Sequence, residues 1–457
     1  MDKITRRLLI QVKKMQAGQI ILIGFAAVIL VGSLLLTLPI ATVSRVSGSY
    51  IDSLFTATSA VCVTGLVIAD TGTHWSLFGQ IVIILLIQTG GLGFMTVATS
   101  FVMFTKKKIN LKERLVIQES LNQLDLSGLV KMVRYVVLIT FIIEGLGAIS
   151  LATVFVPEFG IKGIWFSVFH AISAFCNAGF DLMGTVSGPY TSMTRYVNNA
   201  TVTLTISLLI IFGGIGYPVF IDVARNRKFK KLNINTKIVL ITTAILLVAG
   251  TILLLIAELY NKKTIGDLGV KGKLLSTFFL SVSARTAGFN SIDLTAMSQS
   301  AMFIFIVLMF MGASPASTGG GLKTTTMAVI FLTVKSFIQG KDEIEVFERA
   351  IDRNTIRKSL VIFVIGITAS LTGTLLISLT QPSFSVMDAS FEVVSALATV
   401  GSSLAGSHNL NIFGKLVIIS LMYIGRVGSL TLFMAVLTGS NKKSKSISYP
   451  DGKIMVG

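Results

Sequence analysis

Charge is scarce in this 457-residue chain: 13% of residues are Asp, Glu, Lys or Arg, where a soluble domain carries about 25%. A soluble fold would lack the polar surface to cover its apolar mass. The two cysteines, Cys62 and Cys176, lie 114 residues apart in apolar segments, which excludes a disulfide scaffold or a metal-ligand pair. Three scattered histidines with no His-x-x-x-His spacing give a catalytic metal no foothold, and the chain is read as no enzyme. A Walker-type phosphate loop is missing too, since the nearest match runs Gly321-Leu322-Lys323-Thr324.

What is abundant is apolar. Hydrophobic residues make up 53% of the chain, glycine contributes 41, and mean hydropathy is +0.81. Runs near 18–40, 77–104, 133–155, 199–222, 237–259, 301–337, 359–380 and 412–438 can each cross about 30 Å of hydrocarbon, which takes roughly 20 helical residues. The run from Ile20 to Ile40 is too long for a signal peptide and reads as the first span. Of 39 Lys and Arg, 28 fall in the N-terminal segment, the alternate loops on the same side, and the tail. The positive-inside rule therefore places both termini in the cytoplasm of a multi-pass cell-membrane protein, and nucleic acid is not an expected partner.

The outward connections each hold a second apolar stretch, Tyr50–Val61, Gly163–Phe175, Leu274–Ala284 and Phe384–Leu397, too short to span. A glycine turn follows each: Gly65, Gly179, Gly288 and Gly401, spaced 114, 109 and 113 residues apart. A second marker begins 25, 34, 24 and 24 residues further on, at Gly90, Gly213, Gly312 and Gly425. Two markers recurring in phase indicate an all-α polytopic membrane protein of four pseudo-symmetric repeats: transmembrane helix, re-entrant half-helix, filter loop, transmembrane helix, around one pore. The expected division is 1–17 (cytoplasmic segment), 18–130, 131–235, 236–357 and 358–440 (repeats 1 to 4, the third with a broken second helix), and 441–457 (cytoplasmic tail).

Irregular backbone at membrane depth survives only where protein buries it or it lines a wet cavity. Four glycine turns around one axis offer carbonyl oxygens in place of an ion's hydration shell, and each half-helix aims its negative dipole end inward. Both features favour a cation. The expected filter comprises Val63, Thr64 and Gly65; Asn177, Ala178 and Gly179; Thr286, Ala287 and Gly288; and Thr399, Val400 and Gly401.

The half-helix and single-glycine pattern, Gln88-Thr-Gly-Gly-Leu-Gly-Phe94, His170-Ala-Ile-Ser-Ala-Phe-Cys-Asn-Ala-Gly-Phe180, Thr286-Ala-Gly-Phe-Asn-Ser291 and the ending Tyr449-Pro-Asp-Gly452 together resemble the Trk/Ktr/HKT potassium transporters, above all the bacterial Ktr ion-translocating subunit. The resemblance covers essentially the whole chain. It implies a homodimer with one pore per protomer, passive K+ uptake with K+ held by filter carbonyls alone, often Na+ as activator, and a separate cytosolic ring of regulatory subunits that binds ATP or ADP. This chain has no cofactor or nucleotide domain of its own. Four glycines imply K+ over Na+, since plant relatives that pass Na+ tend to carry serine at the first glycine position. Leu66, Phe180 and Phe289 follow three filter glycines, but Ser402 and Ser403 follow the fourth, a departure from the pattern.

Gly312, Ala313, Ser314, Pro315, Ala316, Ser317, Thr318, Gly319, Gly320 and Gly321 interrupt the second span of repeat 3, because proline and consecutive glycines break helices. The stretch resembles the family's intramembrane gating loop, with Ser314, Ser317 and Thr318 expected to obstruct the pore; a packing kink is the alternative. Arg426 stands where the other repeats have Gly91, Gly214 and Ala313, and it is expected to form a positive pore barrier or else a structural ion pair. Lys323 is expected to contact the loop or snorkel to the cytoplasm. Arg285 is expected to support the filter, while Asp52 and Asp388 should cap half-helices. Glu392 is a candidate support for the fourth filter, and Glu144 has no evident partner. The basic face offers contacts for anionic lipid or for the regulatory ring, with the termini and Lys341–Arg353 as docking candidates. The rival function is a proton- or Na+-coupled secondary transporter, which calls for inverted repeats and midplane ionisable pairs. On the topology above, a cysteine replacing Lys263 should react with impermeant maleimide on intact cells, whereas one replacing Lys230 should react only after permeabilisation.

Overall fold

The computed structural model describes residues 17–104, 114–116, 118, 129–341 and 343–428. Residues 1–16 of the expected N-terminal segment, the expected tail with its Tyr449–Gly452 ending, the end of the last expected span (429–438) and most of the loop between repeats 1 and 2 lie outside the described residues. Leu, Ile, Val and Phe runs without polar interruption leave helix as the backbone's way to satisfy its own hydrogen bonds in lipid. Among the described residues, four helices are long and apolar enough to cross a membrane: α1 (Ala17–Thr37), α5 (Leu129–Phe159), α9 (Ile234–Glu258) and α13 (Arg353–Thr380). A shorter helix follows each one: α2 (Tyr50–Val61), α6 (Ile161–Phe175), α10 (Val270–Ser283) and α14 (Val386–Leu397). At 12 to 15 residues these are roughly 18–23 Å long and fall short of a crossing. After a turn come α3 (Leu77–Leu92), α7 (Ala200–Ile215), α11 (Gln299–Phe310) and α15 (Ile412–Val427).

The helices of this third set do not continue straight, which corrects the reading of 77–104 and 199–222 as single spans. Past α3, the chain turns by 95° into α4 (Phe94–Phe104), and past α7 by 90° into α8 (Tyr217–Asn226). The hinges are Gly93 (φ 79°) and Gly216 (φ 96°), and Gly428 (φ 93°) ends α15 in the same way. A residue in the left-handed region terminates a helix, and glycine adopts it without steric cost. In the third repeat, residues 311–323 separate α11 from α12 (Thr324–Ile338). A small hairpin, β1 (Glu345–Val346) with β2 (Arg349–Ala350), then leads to α13.

Neighbouring quarters are stapled together around the molecule. Trp165 Nε1 donates to Gln80 Oε1 at 2.9 Å, linking α6 to α3. Met193 N donates to Asn290 O at 2.9 Å, joining the second quarter to the third. Phe305 of α11 stacks on Phe391 of α14 with centroids 5.5 Å apart. The last quarter closes on the first through Tyr423 Oη donating to Leu22 O at 2.6 Å and the Lys415–Asp52 ion pair at 2.7 Å. Asp52 is therefore a cross-link and not a helix cap. Asp388 does cap: with Ser385 it forms a reciprocal capping box at the start of α14.

Close packing depends on the first glycine of three of the four second markers. A Cβ on Gly90, Gly213 or Gly425 would press into the last carbonyl of its own half-helix, that of Val61, Phe175 or Leu397. Gly213→Ala should therefore destabilise the protein by about 1–3 kcal/mol through overpacking. Gly145 would meet nothing within 4 Å, so Gly145→Ala should leave the thermal midpoint in detergent unchanged or slightly raised.

Candidate functional site: a ring of four glycine turns and the loop beneath it

The turns that end α2, α6, α10 and α14 share one backbone plan. Val63, Asn177, Thr286 and Thr399 have φ of 56°, 58°, 75° and 52°, and Gly65, Gly179, Gly288 and Gly401 have φ of 89°, 71°, 76° and 96°. The residue between each pair keeps the ordinary hand. This alternation turns successive carbonyls to the same side, as in carbonyl-lined ion filters. Left-handed Val and Thr are genuine outliers, costing on the order of 1–3 kcal/mol each, so their surroundings must hold them. Serines at the ends of the half-helices do part of this. Ser59 and Ser395 hydroxyls accept from Gly65 N and Gly401 N at 3.1 and 3.0 Å, while Ser173 Oγ donates to Phe180 O at 2.7 Å. In the third repeat the same role falls to Ser283, whose hydroxyl donates to Phe289 O at 2.5 Å.

The four turns meet. A Cβ on Gly65 would stand 3.1 Å from Gly179 Cα, one on Gly179 3.2 Å from Gly288 Cα, and one on Gly288 3.1 Å from Gly401 Cα. One on Gly401 would come within 2.8 Å of Gly65 Cα, closing the ring. Each would also press on the carbonyl oxygen just before the neighbouring glycine, at Ala178, Ala287, Val400 and Thr64 in turn. Positive φ and close approach together make any side chain at these four positions strained.

Behind the ring, Leu66, Phe180 and Phe289 are fully buried, and so is Ser402, whose hydroxyl has no partner among the described residues. In the fourth quarter, the buried Glu392 of α14 holds the chain after the turn: one carboxylate oxygen accepts from Ser403 and the other from Ser407 at 2.9 Å. His170 has a structural place, with Nδ1 2.6 Å from Phe166 O and Nε2 accepting from Leu182 N at 3.2 Å. Glu144, which lacked a partner in the sequence, accepts from Gln88 Nε2 at 3.2 Å and lies 3.8 Å from Cys176 Sγ. Arg285 is buried at 7% exposure, and its Nε lacks a hydrogen-bond partner among the described residues.

Gly312–Gly321 passes directly under the ring and is tied to three quarters. Ser314 N and Thr318 N donate to Gly214 O and Gly213 O at 3.0 and 3.1 Å. Thr318 Oγ1 donates to Phe175 O at 3.1 Å and lies 3.2 Å from the Asn177 amide, which in turn lies 3.0 Å from Thr286 Oγ1. Gly320 N donates to Thr399 Oγ1 at 3.0 Å. The left-handed residues of three turns thus face the loop. Of the three hydroxyls singled out in the sequence, Thr318 reaches the base of the ring. Ser314 instead pairs with Thr324 at 3.0 Å, and Ser317 has no partner among the described residues.

Two cations serve the loop's open carbonyls. Lys323 Nζ donates to Gly319 O at 2.9 Å. Arg426 reaches across from α15, donating to Thr318 O and Gly90 O, and to Gly91 O at 3.2 Å. No carboxylate pairs with Arg426 among the described residues, so the guanidinium latches the loop to the end of α3. Below lies a cavity of about 1080 Å3, bordered by Phe25, Gly319, Lys323, Asp352, Lys358 and Arg426. Since hydrogen bonds to charged groups contribute about 1.5–3 kcal/mol, Arg426→Gln should speed amide exchange within 312–321 by at least about tenfold, measured by hydrogen–deuterium exchange mass spectrometry.

The family model for TrkH-type cation transport proteins matches residues 6–446. The potassium/sodium uptake protein NtpJ of Enterococcus hirae is 41% identical over 449 residues, covering 97% of this chain and 98% of that one. The Ktr system potassium uptake protein B of Bacillus subtilis is 41% identical over 96% of both chains, and that of Vibrio alginolyticus 40% identical over 96% of this chain and 94% of the other. Among solved structures, the potassium transporter TrkH from Vibrio parahaemolyticus superposes with a TM-score of 0.68 at 16% identity, over 90% of this chain and 84% of that one, a likeness of fold. A helical, multi-pass chain matched over nearly its whole length is a membrane transport protein and no enzyme: it belongs to the TrkH cation transport protein family.

Proposed function

We propose that the chain is a passive, channel-like pathway for K+ uptake, in which the four glycine turns form the selectivity filter and the loop at Gly312–Gly321 forms the gate. The observation that carries this reading is the closed ring of Gly65, Gly179, Gly288 and Gly401 with hydrogen-bonded backbone directly beneath it. Carbonyls facing one axis at the negative ends of four half-helices suit an alkali cation. With its amides and carbonyls engaged by Gly213, Gly214, Thr399, Lys323 and Arg426, the loop closes the path, and uptake requires it to move. Arg426 combines two tasks: it places a fixed positive charge under the filter and holds the obstruction in place.

The relatives' names support K+ as the cargo, and that of the Enterococcus hirae protein adds Na+. Others are named as one lettered component of a Ktr system, which supports a separate regulatory subunit acting on this chain. A nucleotide-binding ring on the basic face and homodimerisation complete the proposal. A second reading, coupled cation transport, draws on the Glu144–Gln88–Cys176 cluster, an ionisable group buried near the ring.

Purified protein in liposomes tests these readings. K+ should enter faster than Na+ down its own gradient, and deletion of 314–320 should raise K+ entry. Gly65→Ser forces a side chain into a left-handed position and should cut K+/Na+ discrimination by about tenfold, or 1.4 kcal/mol. Equal entry of both ions through the unaltered protein would overturn the filter, unchanged flux on deletion would overturn the gate, and K+ accumulation driven by a proton gradient would establish coupled transport.

A further inference from the structure

From the last turn of α8 to α9 the chain runs through Arg225, Arg227, Lys228, Lys230 and Lys231. Asp222 fixes its path: Oδ2 accepts from Asn233 N at 2.9 Å, and Oδ1 accepts from the Asn226 and Asn233 side-chain amides at 2.8 and 2.9 Å. The β1–β2 hairpin folds against this loop, its turn made by Phe347 and Glu348 with φ of 51° and 62°. Lys237 joins the two. Its ammonium lies 5.9 Å from the Phe229 ring centre and 5.2 Å from that of Phe347, and it donates to Lys230 O at 3.0 Å.

A cavity of about 290 Å3 remains between loop and hairpin, walled by Lys230, Lys231, Lys237 and Arg349 and by one acid, Glu348. No carboxylate pairs with Lys230, Lys231 or Arg349 among the described residues, so the wall carries an excess of three positive charges (4 − 1). Asn233 and Ile234, at the start of α9, also border it and add the positive end of a helix dipole. Depth is set by α9, a 25-residue apolar span whose first turn is here, and by the exposed rings of Phe229 and Phe347, residues suited to the headgroup layer. Arginine forks and lysine point charges at that depth match phosphate oxygens.

We propose that this cavity binds a phosphate group, supplied by an anionic phospholipid headgroup or by free phosphate. The site lies apart from the ring and does not depend on the transport reading. An occupant would clamp the hairpin that follows α12, the helix continuing from the Gly312–Gly321 loop.

The test uses the full chain in detergent and native mass spectrometry with phosphatidylglycerol, phosphatidylcholine and inorganic phosphate. The comparison is with the triple variant Lys230→Gln, Lys231→Gln, Arg349→Gln, all exposed positions whose folding is checked by circular dichroism. The unaltered protein should retain phosphatidylglycerol over phosphatidylcholine by roughly fivefold or more, and the variant should lose that preference. Displacement of the lipid by inorganic phosphate would show that the phosphate group alone suffices, while retention against phosphate would assign the site to the lipid; both uphold the proposal. Equal retention by protein and variant would overturn it. So would a variant that keeps the lipid and loses only capture of a cytosolic protein. Transport is not part of the readout, so this failure would leave the channel reading intact.

Discussion

Backbone polarity in a medium without water governs this molecule. An amide or carbonyl left open in hydrocarbon costs several kcal/mol, yet a path for a bare cation needs carbonyls left open to it. The chain brings its four irregular turns to one place, where each shields the next. The half-helices, the glycine approaches at Gly90, Gly213 and Gly425, and the hydroxyls of Ser59, Ser173, Ser283 and Ser395 all serve to bring irregular backbone together and hold it. The strained φ values of Val63, Asn177, Thr286 and Thr399 persist because the ring over-determines them.

The same constraint explains why two cationic side chains stand so close beneath the ring. Opening a helix between α11 and α12 frees carbonyls with no helical partner. Lys323 and Arg426 answer them with charged donors, which satisfy the backbone more strongly than neutral groups would. Retention of the loop thus rests on two charged side chains contributed by different parts of the chain, α15 and the loop's own end.

The sequence made the architecture legible where the signal is local. Hydropathy located the four long helices, and the apolar stretch Tyr50–Val61 coincides with α2. In the third repeat, proline and glycine marked the break. The 95° and 90° bends were missed because Gly93 and Gly216 sit inside unbroken apolar runs, and hydropathy does not register the hand of a single φ. Partners distant in sequence were also out of reach. Glu144 finds Gln88 and Cys176, Asp52 finds Lys415 in place of a capping role, and Arg426 takes main-chain oxygens that no residue pattern can announce.

All four quarters belong to one polypeptide, so an insertion such as Gly312–Gly321 occurs once per passage. Assembling the same ring from four identical chains would deliver four such loops to a space that a single one already fills, with Gly213, Gly214 and Thr399 as its moorings. Covalent linkage of the quarters is therefore what permits one asymmetric element beneath a near-symmetric ring.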